Sequence, residues 1–405
     1  MSARDGMSSA ETLRAQLERA QTRAFGIGGV GFALCFVLGL AFHRATALHR
    51  SYLFAFMFWL LIPVGCSAIL MLHHMTGGWW GYPIRRLLEA GTRTFPIIAA
   101  LFVPNLLGMS RLYPWAQPDQ VAADPLLQYK HAYLNPGFFS VRAVVYFAIW
   151  FGLAFFLNKW SEQQDRTGDA RLALRMESLS APGLILWGIA VTFSSVDWVM
   201  SLEPHWFSTI YGMIFMMAAA LAAMSFVVFT LRMLSDSDPL RDSVTPNQYN
   251  DLGNLMLAFV MLWAYLSFSQ FLIIWSGNIK DEIPWYISRA FGGWGKVAAV
   301  LLLLHFAAPF FLLLQRGVKR RLRRLSMVAG LLMVLSLVDV YWLVAPAYDP
   351  AGPSMNLDRW LDLLAVAGVG GVWVGAFCRQ LKKQPLLPLH DPRFEGVALE
   401  HGHGD

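Results

Sequence analysis

Charge is what this chain of 405 residues has least of. Asp, Glu, Lys and Arg make up 14% of it, where a soluble domain carries roughly a quarter. That shortfall points away from a soluble globular fold and toward a lipid environment. Cysteine is scarce as well. Cys35, Cys66 and Cys378 are far apart, and no CxxC or CxxCH pair occurs. Neither an iron–sulfur cluster nor an attached c-type haem is therefore expected on this chain. No secretory signal peptide is recognisable: "ETLRAQLERAQTR" (11–23) reads as an amphipathic cytoplasmic helix ahead of the first apolar run.

What the chain has in abundance is apolar length. Hydrophobic residues make up 56% and the mean hydropathy is +0.47. Ten runs approach the length of about 20 residues that spans a bilayer as a helix. They begin near Arg23, Ser51, Thr94, Gly137, Ser180, Trp206, Leu252, Gly292, Leu325 and Leu361. Hydrogen-bond economy in lipid forces them to be helical. The run at 94–112 is interrupted by Pro96, Pro104 and Asn105, yet its neighbours require a crossing there. The expected fold is all-α: a polytopic integral membrane protein of about ten transmembrane helices, arranged as two four-helix bundles plus two extra helices. Residues 1–22 form an amphipathic N-terminal segment, 23–384 the ten-helix domain, and 385–405 a polar tail, extended or docked on a partner.

Lys and Arg collect on the cytoplasmic side of spanning helices. An inside N-terminus places 23 of the 32 basic residues on cytoplasmic segments, six of them in "QRGVKRRLRR" (315–324). Both termini are then cytoplasmic. The net charge of +6 is spread over loops that share only a side of the membrane, so nucleic-acid binding is not expected. "GGWWGYPIRRLLEAGTR" (77–93) reads as an interfacial helix.

Ionisable side chains inside the bilayer are costly, about 2.5–3.5 kcal/mol each at the helix centre, and so are functional candidates. Asp197 and Asp339 fall in the outer part of their helices, roughly 24 and 20 Å from the cytoplasmic start. Tyr265, Ser269 and Gln270 lie at similar height, with Tyr265 and Ser269 sharing a face at i, i+4. His305, in "LLLLHFAAPF", is deep from the other side, and below it come Asp251 and Asn254, then His73 and His74. Together these polar residues could ladder from both surfaces toward the middle. A bis-His haem needs two histidines at matched depth, and only His305 is deep. Structural readings stand beside these: an interfacial Asp197, a paired Asp339, a hydrogen-bonded core His305, interfacial His73 and His74.

In "SSVDWVMSLEPHWFSTIYGMIF" (194–215) Pro204 breaks the helix, Trp206 starts the next one at the interface, and Glu203 and His205 cap the hairpin. Asp197 is not explained by such a turn.

The segments "SSVDWVMSLEPHWFSTIYG" (194–212), "DLGNLMLAFVMLWAYLSFSQFLIIWSGNI" (251–279) and "HHMTGGWWGYPIRRLLEA" (73–90) resemble the F subunit of alternative complex III. That complex is the bacterial quinol:cytochrome c oxidoreductase unrelated to cytochrome bc1, and the subunit belongs to the NrfD/polysulfide-reductase membrane-subunit group. The resemblance covers essentially the whole chain. One departure is Asn278-Ile279-Lys280-Asp281-Glu282, where the family reads Asn-x-Pro-Glu-Glu.

The resemblance implies several partners: a similar ten-helix membrane subunit, an iron–sulfur subunit, c-type cytochrome subunits carrying haem c, and a terminal oxidase downstream. It implies no metal on this chain and no cofactor beyond a quinone such as menaquinone. It also implies that the chain is not catalytic alone and supports proton transfer, with Asp197, Asp339, His305, Tyr265, Ser269, Asp251, His73 and His74 as path residues. The alternatives are a quinol site built from Asp197, Glu203, His205, Tyr265 and Gln270, a non-conducting scaffold, and a secondary transporter.

Overall fold

The computed structural model describes residues 3–391 except 239, 354–356 and 389, and leaves aside the side chains of 3–10, 242 and 357. The chain is 84% helical, with no strand among the described residues. In order, the main helices are α1 (Ala3–Ala41), α2 (Ala45–Thr76), α3 (Arg85–Thr92), α4 (Phe95–Leu107), α5 (Pro136–Thr167) and α6 (Arg171–Trp198). They continue with α7 (Tyr211–Leu234), α8 (Pro246–Gly277), α9 (Ile283–Ala290), α10 (Gly292–Leu314), α11 (Leu322–Val344) and α12 (Leu357–Leu381). Among the described residues nine helices are long and apolar enough to cross a membrane, and α3 with α4, bent by 41°, make a tenth if they are one span. The protein is an all-α, multi-pass membrane protein.

Contacts between the connections show that successive helices alternate in direction. At one end Arg85 pairs with Asp391, Gln248 donates to the Trp79 carbonyl at 3.3 Å, and Arg320 donates to Asn247 at 3.2 Å. At the other end Tyr113 donates to the Trp198 carbonyl and Trp115 to Ser201, each at 3.1 Å, while Tyr348 reaches the Leu112 carbonyl at 3.3 Å. Arg85 thus belongs to the first end and Tyr113 to the second, so the chain between them traverses the molecule. Pro96 does not prevent this, because it lies in the first turn of α4, where its missing N–H is not needed.

Helices α2, α4, α5 and α6 pack as one group and α7, α8, α10 and α11 as another, while α1 and α12 pair with each other and α12 lies on α2. The seam between the groups is α2 against α7. The apolar windows of these two are 89% and 78% buried, against 22% for α1, so α2 and α7 are enclosed by protein. Glycine permits the close approach. A Cβ on Gly65 would fall 1.9 Å from the Ala219 carbonyl oxygen, and one on Gly371 would fall 2.3 Å from the Gly28 nitrogen.

The N-terminal amphipathic segment and the first span form one continuous helix, α1. Three local expectations are corrected. Trp206 does not begin a helix: a turn of 3₁₀ follows α6, and α7 starts only at Tyr211. Trp206 is buried and stacked on Trp285 at 4.4 Å instead of facing an interface. The 77–93 segment is not laid along a surface, because every residue of α3 is buried, including Arg85, Arg86 and Glu89. Its arginine charges are matched within the protein: Arg86 contacts Glu89 at 2.6 Å and Asp165 at 2.5 Å, and Ser161 accepts from both arginines at 3.0 Å. Finally, the described part of the tail folds back on its own chain. Leu386 and Leu387 are buried, and Asp391 is buried against Arg85. Residues 392–405 lie outside the described residues.

Candidate functional site

Asp339 sits on α11 in the second helix group, with 3% of its surface exposed. Trp263 of α8 donates to one carboxylate oxygen at 3.1 Å, and no basic residue pairs with it among the described residues. His305 of α10 lies against the Trp263 ring, the two ring centres 4.4 Å apart. Among the described residues both His305 nitrogens are buried without a protein partner, and so is the Ser336 hydroxyl, one turn before Asp339 on the same face of α11. Buried polar atoms lacking protein partners are the positions where ordered water bridges. His305 also lies in a π turn, Leu301–Ala307, that interrupts α10. Pro309 supplies a reason, since it can offer no N–H to the His305 carbonyl four residues back.

Asp339 and Trp263 form the floor of a cavity of about 780 Å³ between α8, α9, α10 and α11. Its walls are apolar and aromatic. Tyr265, Phe268 and Leu302 line its open side and are themselves 66%, 61% and 61% exposed. Ser267, Gln270 and Tyr286 also bring polar groups to the lining. Gln270 accepts from Ser208 at 2.7 Å and donates to the Tyr286 hydroxyl oxygen at 3.2 Å, which leaves the Tyr286 proton free to be donated. Tyr286 is on α9, outside the spans. Burial pushes its hydroxyl up to about 12, against a smaller lowering by Gln270 and Arg289, so it stays a donor at neutral pH. A lipid-open cavity with apolar walls and a few convergent polar groups is the form that sites for small amphiphiles take.

Asp197 is elsewhere and differently held. It belongs to the first group, where Arg142 of α5 grips both carboxylate oxygens, at 2.7 and 3.0 Å, and the Tyr146 hydroxyl donates at 2.7 Å. The Arg142 guanidinium lies over the Tyr133 ring at 3.7 Å and donates to the Tyr133 carbonyl at 2.8 Å. The structure therefore does not place the two acids in one cluster. The hairpin after Asp197 is tied down as well: Glu203 pairs with the wholly buried Arg289 at 2.5 Å, and His205 reaches Asp124 at 2.8 Å. Arg289 in turn donates to the Leu343 carbonyl at 3.1 Å and stacks on Trp285.

Of the remaining candidates, Ser269 is half-buried near the cavity but forms no part of its lining, and Asp251 is exposed. Asn254 accepts from Lys319 at 2.6 Å. His73 and His74 are fully buried within the protein at the end of α2, and His73 contacts the Gly78 carbonyl at 3.3 Å and the edge of Trp80. Sequence reasoning passed over Trp263, Tyr286, Ser336 and Arg142. Only Arg142 carried a signal: it is a charge one and a half turns into an apolar run and needed a partner. Among the described residues no group of three or more His, Cys, Asp or Glu side chains could hold a metal ion. No family model matches the chain, and no curated protein matches it in sequence.

Proposed function

We propose that this chain is an integral subunit of a quinol:cytochrome c oxidoreductase of the alternative complex III kind, and that it handles protons at Asp339. It lies in a bacterial cytoplasmic membrane with its N-terminus inside. It works beside a similar ten-helix subunit, an iron–sulfur subunit and c-type cytochromes, and is not catalytic alone. The sequence resemblance supplies the complex. The observation that carries the proton role is the setting of Asp339, a buried carboxyl with one neutral hydrogen-bond donor and no cation beside it. Charge on such a group must be matched by a proton or by an arriving counter-charge, which couples its protonation to events in the cavity. His305 and Ser336 supply stations for water between Asp339 and the end that carries the 315–324 basic segment.

Asp339→Asn keeps the shape and the Trp263 contact while removing the exchangeable proton. Coupled proton movement is expected to fall while the complex still assembles. Unchanged proton stoichiometry in an assembled Asp339→Asn complex removes the proposal.

A second reading is favoured by the cavity itself. Gln270, the Tyr286 hydroxyl and Asp339 converge on its interior while its mouth faces the lipid side, which suits a quinol headgroup with its tail left in the bilayer. A quinone-analogue photolabel recovered only on the partner membrane subunit sinks that reading and leaves the proton role standing.

A further inference from the structure

A second cleft, unrelated to the Asp339 cavity, opens at the end of the molecule where the tail docks. It measures about 350 Å³ and lies between the α3–α4 junction, α5 and the end of α12. Three cations face it: Arg93, Lys159 and Lys383. Its one acid, Glu162, is already engaged by Arg93 at 2.9 Å and by Gln384 at 2.9 Å. Arg93 is held in place from behind, its Nε donating to Asn158 at 2.8 Å, while its Nη2 is buried without a partner. Neither Lys159 nor Lys383 makes an ion pair among the described residues, and both are exposed. Away from this basic rim the wall becomes apolar, with Phe151 and Phe155 of α5 47% and 48% exposed on the outward face.

We propose that this cleft binds an anionic phospholipid. The phosphodiester head would sit among Arg93, Lys159 and Lys383, and an acyl chain would run along Phe151 and Phe155. The charge balance of three cations to one occupied acid favours an anion. The continuity of basic rim and apolar wall favours an anion that carries a hydrocarbon chain over a free one. Basic pockets between spanning helices hold lipid headgroups in this way. The site does not depend on the proposed proton role, and its test reads binding.

The full chain in detergent would be titrated with phosphatidylglycerol, with phosphatidylcholine and with inorganic phosphate, with bound lipid read by native mass spectrometry and protection by thermal shift. Phosphatidylglycerol is expected to bind and protect, and the other two to do neither. Replacing exposed lysines should weaken the anionic lipid by about fivefold each, so Lys159→Ala with Lys383→Ala by about twenty-five-fold. Lys159→Arg with Lys383→Arg should restore it. Equal binding of phosphatidylcholine, equal protection by phosphate, or undiminished lipid binding by the double alanine variant would each overturn the assignment.

Discussion

Arg142 and Asp197 close a two-pronged ion pair between α5 and α6, with the guanidinium Nε and Nη2 at 2.7 and 3.0 Å from the two carboxylate oxygens. With Tyr146 as a third donor, the pair explains the polar residue that interrupts the apolar run before the 199–210 hairpin. Its geometry is that of a lock between helices. Asp339, with one indole donor, has the opposite character.

The lock makes a prediction about stability. Removing one partner of a buried pair costs about 3–5 kcal/mol, whereas replacing both by apolar groups is often close to neutral. Asp197→Ala should lower the melting temperature sharply. Arg142→Met with Asp197→Leu should recover much of the loss and leave coupled proton movement intact. A double variant as unstable as the single would show that the charges are not what holds α5 to α6.

His305 makes no hydrogen bond to the protein among the described residues, so His305→Leu breaks none there. Stability should change by less than about 1.5 kcal/mol, as for a volume-conserving core exchange, while proton transfer through the Asp339 region slows. Denaturation and proton uptake measured on the same preparation decide it. Undiminished proton uptake assigns His305 to packing alone.

Gly371 allows α12 to touch the backbone of α1 at Gly28. A larger residue there must push the helices apart, at about 1–3 kcal/mol. Gly371→Val should therefore loosen α1 selectively, seen as faster proteolysis or lost cross-linking between α1 and α12, with α2 and α7 unaffected.

Asp391 fastens the tail to Arg85, whose guanidinium is buried with its other contacts to Glu89, Ser161 and Gln164. Asp391→Ala leaves that cation short of one partner. Hydrogen exchange in α3 is expected to speed up more than in α11. Equal protection of α3 in the variant and the parent would mean that the tail contact is incidental.

Tyr286 ties stability to alkaline pH. Its hydroxyl is raised by burial from 10.0 in the open chain to about 12 in the fold. The unfolded chain therefore loses this proton first, and the stability present below about pH 10 is lost as pH rises toward 12. Tyr286→Phe should flatten that part of the stability profile, and a profile that does not change would place the tyrosine in open solvent.

Much of the fold was legible because it is decided locally. Nearly every apolar run is long enough to settle its own helical state in lipid, while the run at 94–112 makes a crossing only if α3 and α4 are one span. The α3 region was misread because paired Trp and Arg beside a span resemble a surface anchor. The partners that bury Arg85 and Arg86 come from residues 161–165 and 391, far away in the chain. Trp206 was misread for a related reason: its stacking partner, Trp285, is on α9.

The sequence by itself determined that the chain is all-α and multi-pass, with nine or ten apolar segments able to span, and it marked Asp197 and Asp339 as acidic groups inside apolar helices, since those follow from composition and run length against a hydrocarbon solvent. It could not rank those groups. Asp197 and Asp339 look alike in one dimension, each an acid in an apolar helix. Only the tertiary structure set Arg142 against the first and left the second with Trp263 beside an open cavity. The physical reason is that helices apolar on every side carry no periodic signal of which face meets which neighbour. The partner of a buried charge is therefore fixed by packing between helices.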